Sequence, residues 1–313
     1  MVDRVGLAFL ALLGGAWGAA ADAATIRHDS RHAAHYRMGA TFPSVGELFV
    51  PGARGSGVLI AEDWVLTAGH MVDDASENVR IRLGGSTYQA DAWVTHPGWD
   101  GGLLGGRDLA LIHLSDPVDD VAPSELYRGA DPRGAWSISV GYGLTGNGRN
   151  GFHKRSLGAL GFTNFIDSIG NAGLLLSDFD DPGRGGVGGL GSSVATAREG
   201  AIAPGDSGGG VFVRVDGRRY LAGVHSFVWP RDGRFDSDYG DWYGSASVSR
   251  HADWIDQVLG QDPSTLGPSG SAVGTRLGTF RLAPTSLVAV PAPGGVGALG
   301  TTAFALGRRR RRC

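Results

Sequence analysis

The run Pro204-Gly205-Asp206-Ser207-Gly208-Gly209-Gly210 sets a serine in a glycine-rich tight turn, a form suited to an acyl-transfer nucleophile. A serine hydroxyl attacks poorly at neutral pH unless a neighbouring imidazole removes its proton. His70, closing Leu66-Thr67-Ala68-Gly69-His70, is the candidate base. A carboxylate must then hold that imidazole in one tautomer and steady the imidazolium, and Asp108 at the head of Asp108-Leu109-Ala110-Leu111-Ile112 fits the role. The negative oxygen of a tetrahedral intermediate needs fixed donors, which the backbone N–H groups of Gly205 and Ser207 can supply. Glycine at 205 keeps a side chain away from that oxygen and permits unusual backbone angles. Singly, the three residues read as a loop tip, a structural histidine and a turn carboxylate. Three such motifs in the order His, Asp, Ser point instead to acyl transfer through a catalytic triad.

The residues around them read as strands. Val79, Ile81 and Leu83 alternate with Arg80 and Arg82, the period of a half-buried strand. Val211-Phe212-Val213-Arg214-Val215 and Arg219-Tyr220-Leu221-Ala222-Gly223-Val224 flank Asp216-Gly217, which predicts a tight hairpin because glycine accepts positive φ. Ser249 is the expected cap of a short helix whose Ala252, Ile255, Val258 and Leu259 share a face. With 54 glycines in 313 residues and few long helical periods, composition favours an all-β fold. Residues 55–259 suffice for an ample core without a metal or disulfide staple. The single cysteine, Cys313, is the last residue, so no disulfide is expected in this unit.

These motifs resemble those of the trypsin or chymotrypsin-like serine peptidases. Gly55-Ser56-Gly57-Val58-Leu59-Ile60 and Trp64 to His70 are similar to the strands that deliver the family's histidine. His96-Pro97-Gly98-Trp99, Val140-Gly141-Tyr142-Gly143 and Gly223-Val224-His225-Ser226-Phe227-Val228 extend the likeness over 55–259. The resemblance implies two six-stranded antiparallel β-barrels with the site between them, a short C-terminal helix, and a serine endopeptidase. It implies that Ser226 supports Asp108 and that the backbone of Ser226, Phe227 and Val228 pairs with substrate as an added strand. It places Ala201 at the base of the primary pocket, where cleavage after Lys or Arg would want a carboxylate; Glu199 stands nearby. Val228 would narrow the slot toward small apolar residues, with Tyr243 filling it further, whereas His225 facing the pocket would favour an acidic residue. Both preferences stay open. Asp206 would receive either a new N-terminal amine, for instance after trimming to Ile26, or an internal donor.

Both ends read as sorting signals. Arg4, the apolar run from Val5 to Leu13 and the small residues from Ala19 to Ala24 match a secretory signal peptide spanning 1–24, cleaved between Ala21 and Ala24 by signal peptidase. A segment at 25–54 leads to the peptidase unit at 55–260. A Gly/Ser/Pro-rich linker follows at 261–285. The tail at 286–313, with Val290-Pro291-Ala292-Pro293-Gly294, an apolar stretch and Arg308 to Arg312, resembles a PEP-CTERM sorting signal handled by exosortase. A secreted or bacterial surface or matrix location is therefore expected. Loss of Arg4, the five tail arginines and Asp3 takes the formal charge from −3 to −8, which argues against nucleic acid as a partner. A monomer acting on peptide or protein is expected. Asp178, Asp180 and Asp181, or Asp236, Asp238 and Asp241, could gather calcium, but neither run completes a known loop pattern, and the spacing of His28, His32 and His35 defines no ligand set. The expectation is no metal and no cofactor. The rival reading is a surface adhesion protein on an inactive peptidase scaffold.

Overall fold

The computed structural model describes residues 24–155, 158–170, 172–184 and 188–263. The expected signal peptide up to residue 23, nearly all of the linker, and the sorting tail lie outside them. The chain runs β1 (Thr25–Ile26), α1 (His32–Gly39), β2 (Val45–Val50), β3 (Ala53–Ala61), β4 (Trp64–Thr67), β5 (Arg80–Leu83), β6 (Ser86–Thr95) and β7 (Ala110–Leu114). It continues through β8 (Trp136–Gly141), β9 (Leu144–Asn147), β10 (Gly151–Arg155), β11 (Leu160–Phe165), β12 (Ser168–Ile169), β13 (Leu174–Asp178) and β14 (Gly200–Ala201). The last elements are β15 (Gly210–Val215), β16 (Arg218–Trp229), β17 (Trp242–Ser247) and α2 (Ala252–Leu259).

Alternation along the first strands closes a barrel. In β5, Arg80 and Arg82 face out while Ile81 and Leu83 are buried, as their period of two predicts. The closed order is β2-β3-β4-β7-β6-β5, so β2 joins the barrel ahead of Gly55. Its interior is apolar, with Leu48, Leu59, Val65, Ile81, Trp93 and Ile112 all buried. Each large side chain so removed from water contributes about 1.5–3 kcal/mol.

The second half is a seven-stranded sheet, β11-β8-β15-β16-β17-β13-β12, with a small sheet β10-β9-β1-β14 beside it. Asp216 and Gly217 both take positive φ, 49° and 81°, and join β15 to β16 as the tight hairpin the sequence predicts. A shared core locks the halves together: Val58, Leu66, Leu109 and Leu111 of the first meet Val140, Phe212, Leu221 and Val224 of the second. Ile255 and Val258 of α2 complete it. Ser249 does not cap α2. It opens a 3₁₀ turn, Ser249–His251, so the helix starts three residues later and Ser249 Oγ lies 3.3 Å from Ser247 Oγ. The N-terminal segment packs on the second half: β1 pairs with β9 and β14, and α1 lies against β11.

Candidate active site

His70 sits in the 3₁₀ turn Gly69–Met71 that follows β4, and Asp108 lies two residues ahead of β7, the neighbour of β4 in the barrel. Barrel register therefore brings the two together from 38 positions apart. Asp108 is sealed from solvent, and each of its oxygens is engaged. Oδ1 accepts the backbone N–H of His70 at 2.9 Å, and Oδ2 accepts His70 Nδ1 at 2.7 Å. Because an ionised carboxylate only accepts, the His70 proton sits on Nδ1 and leaves Nε2 as a base. Oδ2 also accepts Ser226 Oγ at 2.5 Å. Ser226 can reach across because the register of β16 on β17 shifts between His225 and Phe227, a bulge that turns its side chain out of the ladder.

Ser207 comes from the second half and is pinned to the first. Its carbonyl accepts the N–H of Ser56 at 2.8 Å, while Ser56 Oγ donates to Gly205 O at 3.0 Å. The turn passes so close to β3 and β4 that a Cβ on Gly208, whose φ is +84°, would lie 2.1 Å from both Ser56 O and Thr67 Oγ1. Gly205, at φ +94°, would drive a Cβ to 2.8 Å from Gly143 Cα, so its glycine answers backbone crowding from Gly143. In this turn the N–H of Asp206 donates to Ala203 O and that of Gly208 to His225 O. Among the described residues the N–H groups of Gly205 and Ser207 donate to nothing. No hydrogen bond joins His70 to Ser207; catalytic contacts of this kind commonly tighten only when substrate binds.

Asp206 is fully buried, and burial raises its carboxyl to about 7 despite three backbone donors. Gly143 N donates to Oδ1 at 2.9 Å, Ala203 N to Oδ2 at 2.8 Å, and Ala24 N to Oδ2 at 2.8 Å. The nitrogen at this carboxylate is thus that of Ala24 rather than Ile26, whose residue is committed to the β1 pairings.

The residues expected to line a primary pocket divide. Ala201 is buried in β14, and Val228 packs on the same apolar cluster as Ala201, Ile202 and Tyr243. Val228 and Tyr243 are direct cross-strand partners. Phe227 is buried against Gly244. His225 is wholly enclosed, its Nδ1 3.1 Å from Ser245 Oγ and its ring stacked on Phe162. Burial pushes its imidazole down to about 3, which keeps it neutral. Glu199 accepts the N–H groups of Asp180 and Thr196, and burial raises it to about 8. Of the metal alternatives, His28 turns to Tyr239 and His35 to Gly161 O, so those rings do not converge.

Sequence reasoning missed a second histidine pair. His96 Nδ1 accepts the N–H of Gly98 at 3.0 Å, which leaves His96 Nε2 to donate to His251 Nδ1 at 3.1 Å, and His251 Nε2 to donate to Gly106 O at 2.8 Å. This relay ties the segment leading into Asp108 to the C-terminal turn. His96-Pro97 was visible as a motif, but nothing in the sequence pairs it with His251.

Closed barrel, companion sheet and short C-terminal helix together define a chymotrypsin-like fold. The Trypsin family model matches residues 35–255, and the chain belongs to that family. The mouse brain serine protease neuropsin superposes with a TM-score of 0.53 at 20% identity, over 71% of this chain and 96% of that one. Complement C1s subcomponent of Sus scrofa is 33% identical over 87 residues, 23% of this chain and 13% of the relative. A calcium-dependent serine proteinase of Mesocricetus auratus is 35% identical over 88 residues, with the same two shares. The chain thus spans only a small part of the length of the curated relatives it matches. Among the described residues no helix is long and apolar enough to cross a membrane.

Proposed function

We propose that this chain is an exported serine endopeptidase. The observation that carries the reading is the sealed Asp108, bonded to His70 Nδ1 and to Ser226 Oγ, which leaves Nε2 as the only basic nitrogen of that ring. His70 takes the proton of Ser207 as Oγ attacks the scissile carbonyl. The oxyanion falls to the undonated N–H groups of Gly205 and Ser207. His70 then gives its proton to the leaving amine, and water repeats the sequence to release the acyl group. Family membership and the retained triad weigh against the adhesion-protein reading.

For the residue before the scissile bond, the apolar packing of Val228 against Ala201 and Tyr243 supports a small apolar side chain. The neutral, enclosed His225 offers no cation to an acidic one, and the bonded Glu199 no anion to a basic one. The backbone of residues 226–228 takes substrate as an added strand. Maturation by signal peptidase before Ala24 would place the new amine directly at Asp206 Oδ2, so that export and activation are one cleavage. The resemblance of the tail at 286–313 to a PEP-CTERM signal supports an exosortase-handled route to the cell surface or matrix.

A fluorophosphonate probe tests the activity. Covalent labelling of wild type that is lost in Ser207→Ala, with turnover down by about 10⁶-fold, is the expected result. An unlabelled, folded wild type would hand the reading to the adhesion protein.

A further inference from the structure

We infer that the turn joining β16 to β17, residues 230–241, is a calcium site formed by Asp232, Asp238 and Asp241. One carboxylate oxygen from each lies within 4.8 Å of the others. Calcium binds oxygen at about 2.3–2.6 Å, so three oxygens about 4–4.5 Å apart can all touch one ion, and a small side-chain adjustment brings this set to that spacing, whereas the shorter, stricter bonds of magnesium of about 2.1 Å demand a tighter set.

A second observation points to a ligand. Asp241 is 1% exposed, and its Oδ2 is buried with no hydrogen-bond partner, although Oδ1 accepts the N–H of Arg231 at 2.8 Å. Two more oxygens of the same turn, Asp236 Oδ1 and Ser237 Oγ, are likewise buried without a partner. An enclosed carboxylate oxygen without a donor is costly, and a cation is the partner that its chemistry accepts. The nearby arginines do not serve. Arg231 lays its guanidinium over the Trp242 ring at 4.2 Å, and Arg234 reaches Asp232 only at 4.0 Å through its side chain.

The burial gradient gives the ion a way in. Asp232 is exposed, Asp238 half-buried and Asp241 enclosed, so the cluster opens to solvent on one side. Asp232 stands near the start of the turn and Asp241 at its end, so one ion would clasp the loop shut. That loop hangs from Trp229 and Trp242, which face each other across β16 and β17 just beyond the strand proposed to hold substrate. The site is independent of the proteolytic reading, because its ligands belong to a different turn from His70, Asp108 and Ser207.

The test uses the mature chain stripped with EDTA and titrated with calcium chloride, followed by calorimetry and thermal unfolding. Saturable binding with a rise in the unfolding midpoint of about 5 °C or more is expected. Asp232→Asn, on an exposed residue, should weaken calcium binding by about tenfold or more and leave the metal-free midpoint unchanged. Asp238→Asn combined with Asp241→Asn should abolish the response. A wild type with neither heat nor midpoint shift would overturn the site, as would an Asp232→Asn chain that binds calcium like wild type. Fluorophosphonate labelling of Ser207 in the same samples keeps failure of this site separate from failure of the catalytic reading.

Discussion

The two halves of the molecule treat buried charge in opposite ways. In the first barrel the buried carboxylates have side-chain partners: Glu47 pairs with Arg54 and Arg82, and Asp108 with His70 and Ser226. In the second half, Asp178, Glu199, Asp206 and Asp241 are just as enclosed, yet their carboxylates accept backbone N–H groups, and the equally enclosed Asp180 has an Oδ1 with no partner at all. Burial drives every one of these five carboxyls upward. The first half is electrostatically complete as folded. Among the described residues these five carboxyls have no side-chain counter-charge, and protons, a freed amine or a metal ion would supply one. Desolvation of an ion costs several kcal/mol unless a partner offsets it, so the unpaired half is where maturation and ligands can act.

The largest effect should come from unbalancing the complete half. Asp108→Asn keeps the shape but presents the wrong donor to His70, and kcat should fall by about 10⁴-fold with substrate binding little changed. Steady-state kinetics on a small ester would read it, and a loss below tenfold would show that Asp108 is not the orienting group. Next, two extra residues ahead of Ala24 turn its amine into a peptide N–H; kcat/KM should drop by roughly 10²-fold as the Ser207 turn loses its order. An unchanged rate would mean that a neutral donor suffices at Asp206.

A smaller change sharpens the specificity of the unpaired half. Val228→Gly should open the slot and shift preference toward larger apolar residues by roughly tenfold in relative kcat/KM, read by peptide-library profiling. The smallest change tests the carboxyls themselves. Glu199 has a folded-state pKa raised to about 8 from an ordinary 4.5. The folded chain therefore holds a proton that the unfolded chain has lost. Stability from this group is full below about pH 4.5 and is lost as pH rises toward 8. Glu199→Gln removes that dependence, so urea unfolding of the two chains should diverge in the variant's favour by on the order of 1–3 kcal/mol between pH 5 and 8. Parallel curves would show that Glu199 is not held protonated.

The elements carrying the chemistry were legible because local chemistry fixes them. Alternation in residues 80–83 and the Asp216-Gly217 turn need only nearby neighbours, and both appear as read. The His70–Asp108 bond was legible from motif order, since adjacent strands of one barrel must deliver the pair. What escaped depends on packing between distant segments. The sequence leaves open whether Asp206 meets an amine freed at Ile26 or an internal donor, and pairing of β1 with β9 and β14 puts the nitrogen of Ala24, two residues earlier, at the carboxylate. His225 offered either a pocket or a core role, and the ring of Phe162 from another strand encloses it. Asp236 was grouped with Asp238 and Asp241 by spacing, whereas the folded turn substitutes Asp232 as the third member of the converging set.

Cys313 is the only cysteine of the sequence, so the two halves are joined by apolar packing and hydrogen bonds, without sulfur cross-links. Folding of this unit does not wait on oxidation, and a reducing bacterial cytosol is a workable host for its production. Among the described residues there is no thiol for a reagent to attack. With Cys313 changed to serine, one cysteine placed at Val194, which is 70% exposed, becomes a unique attachment point for a fluorophore or a solid support.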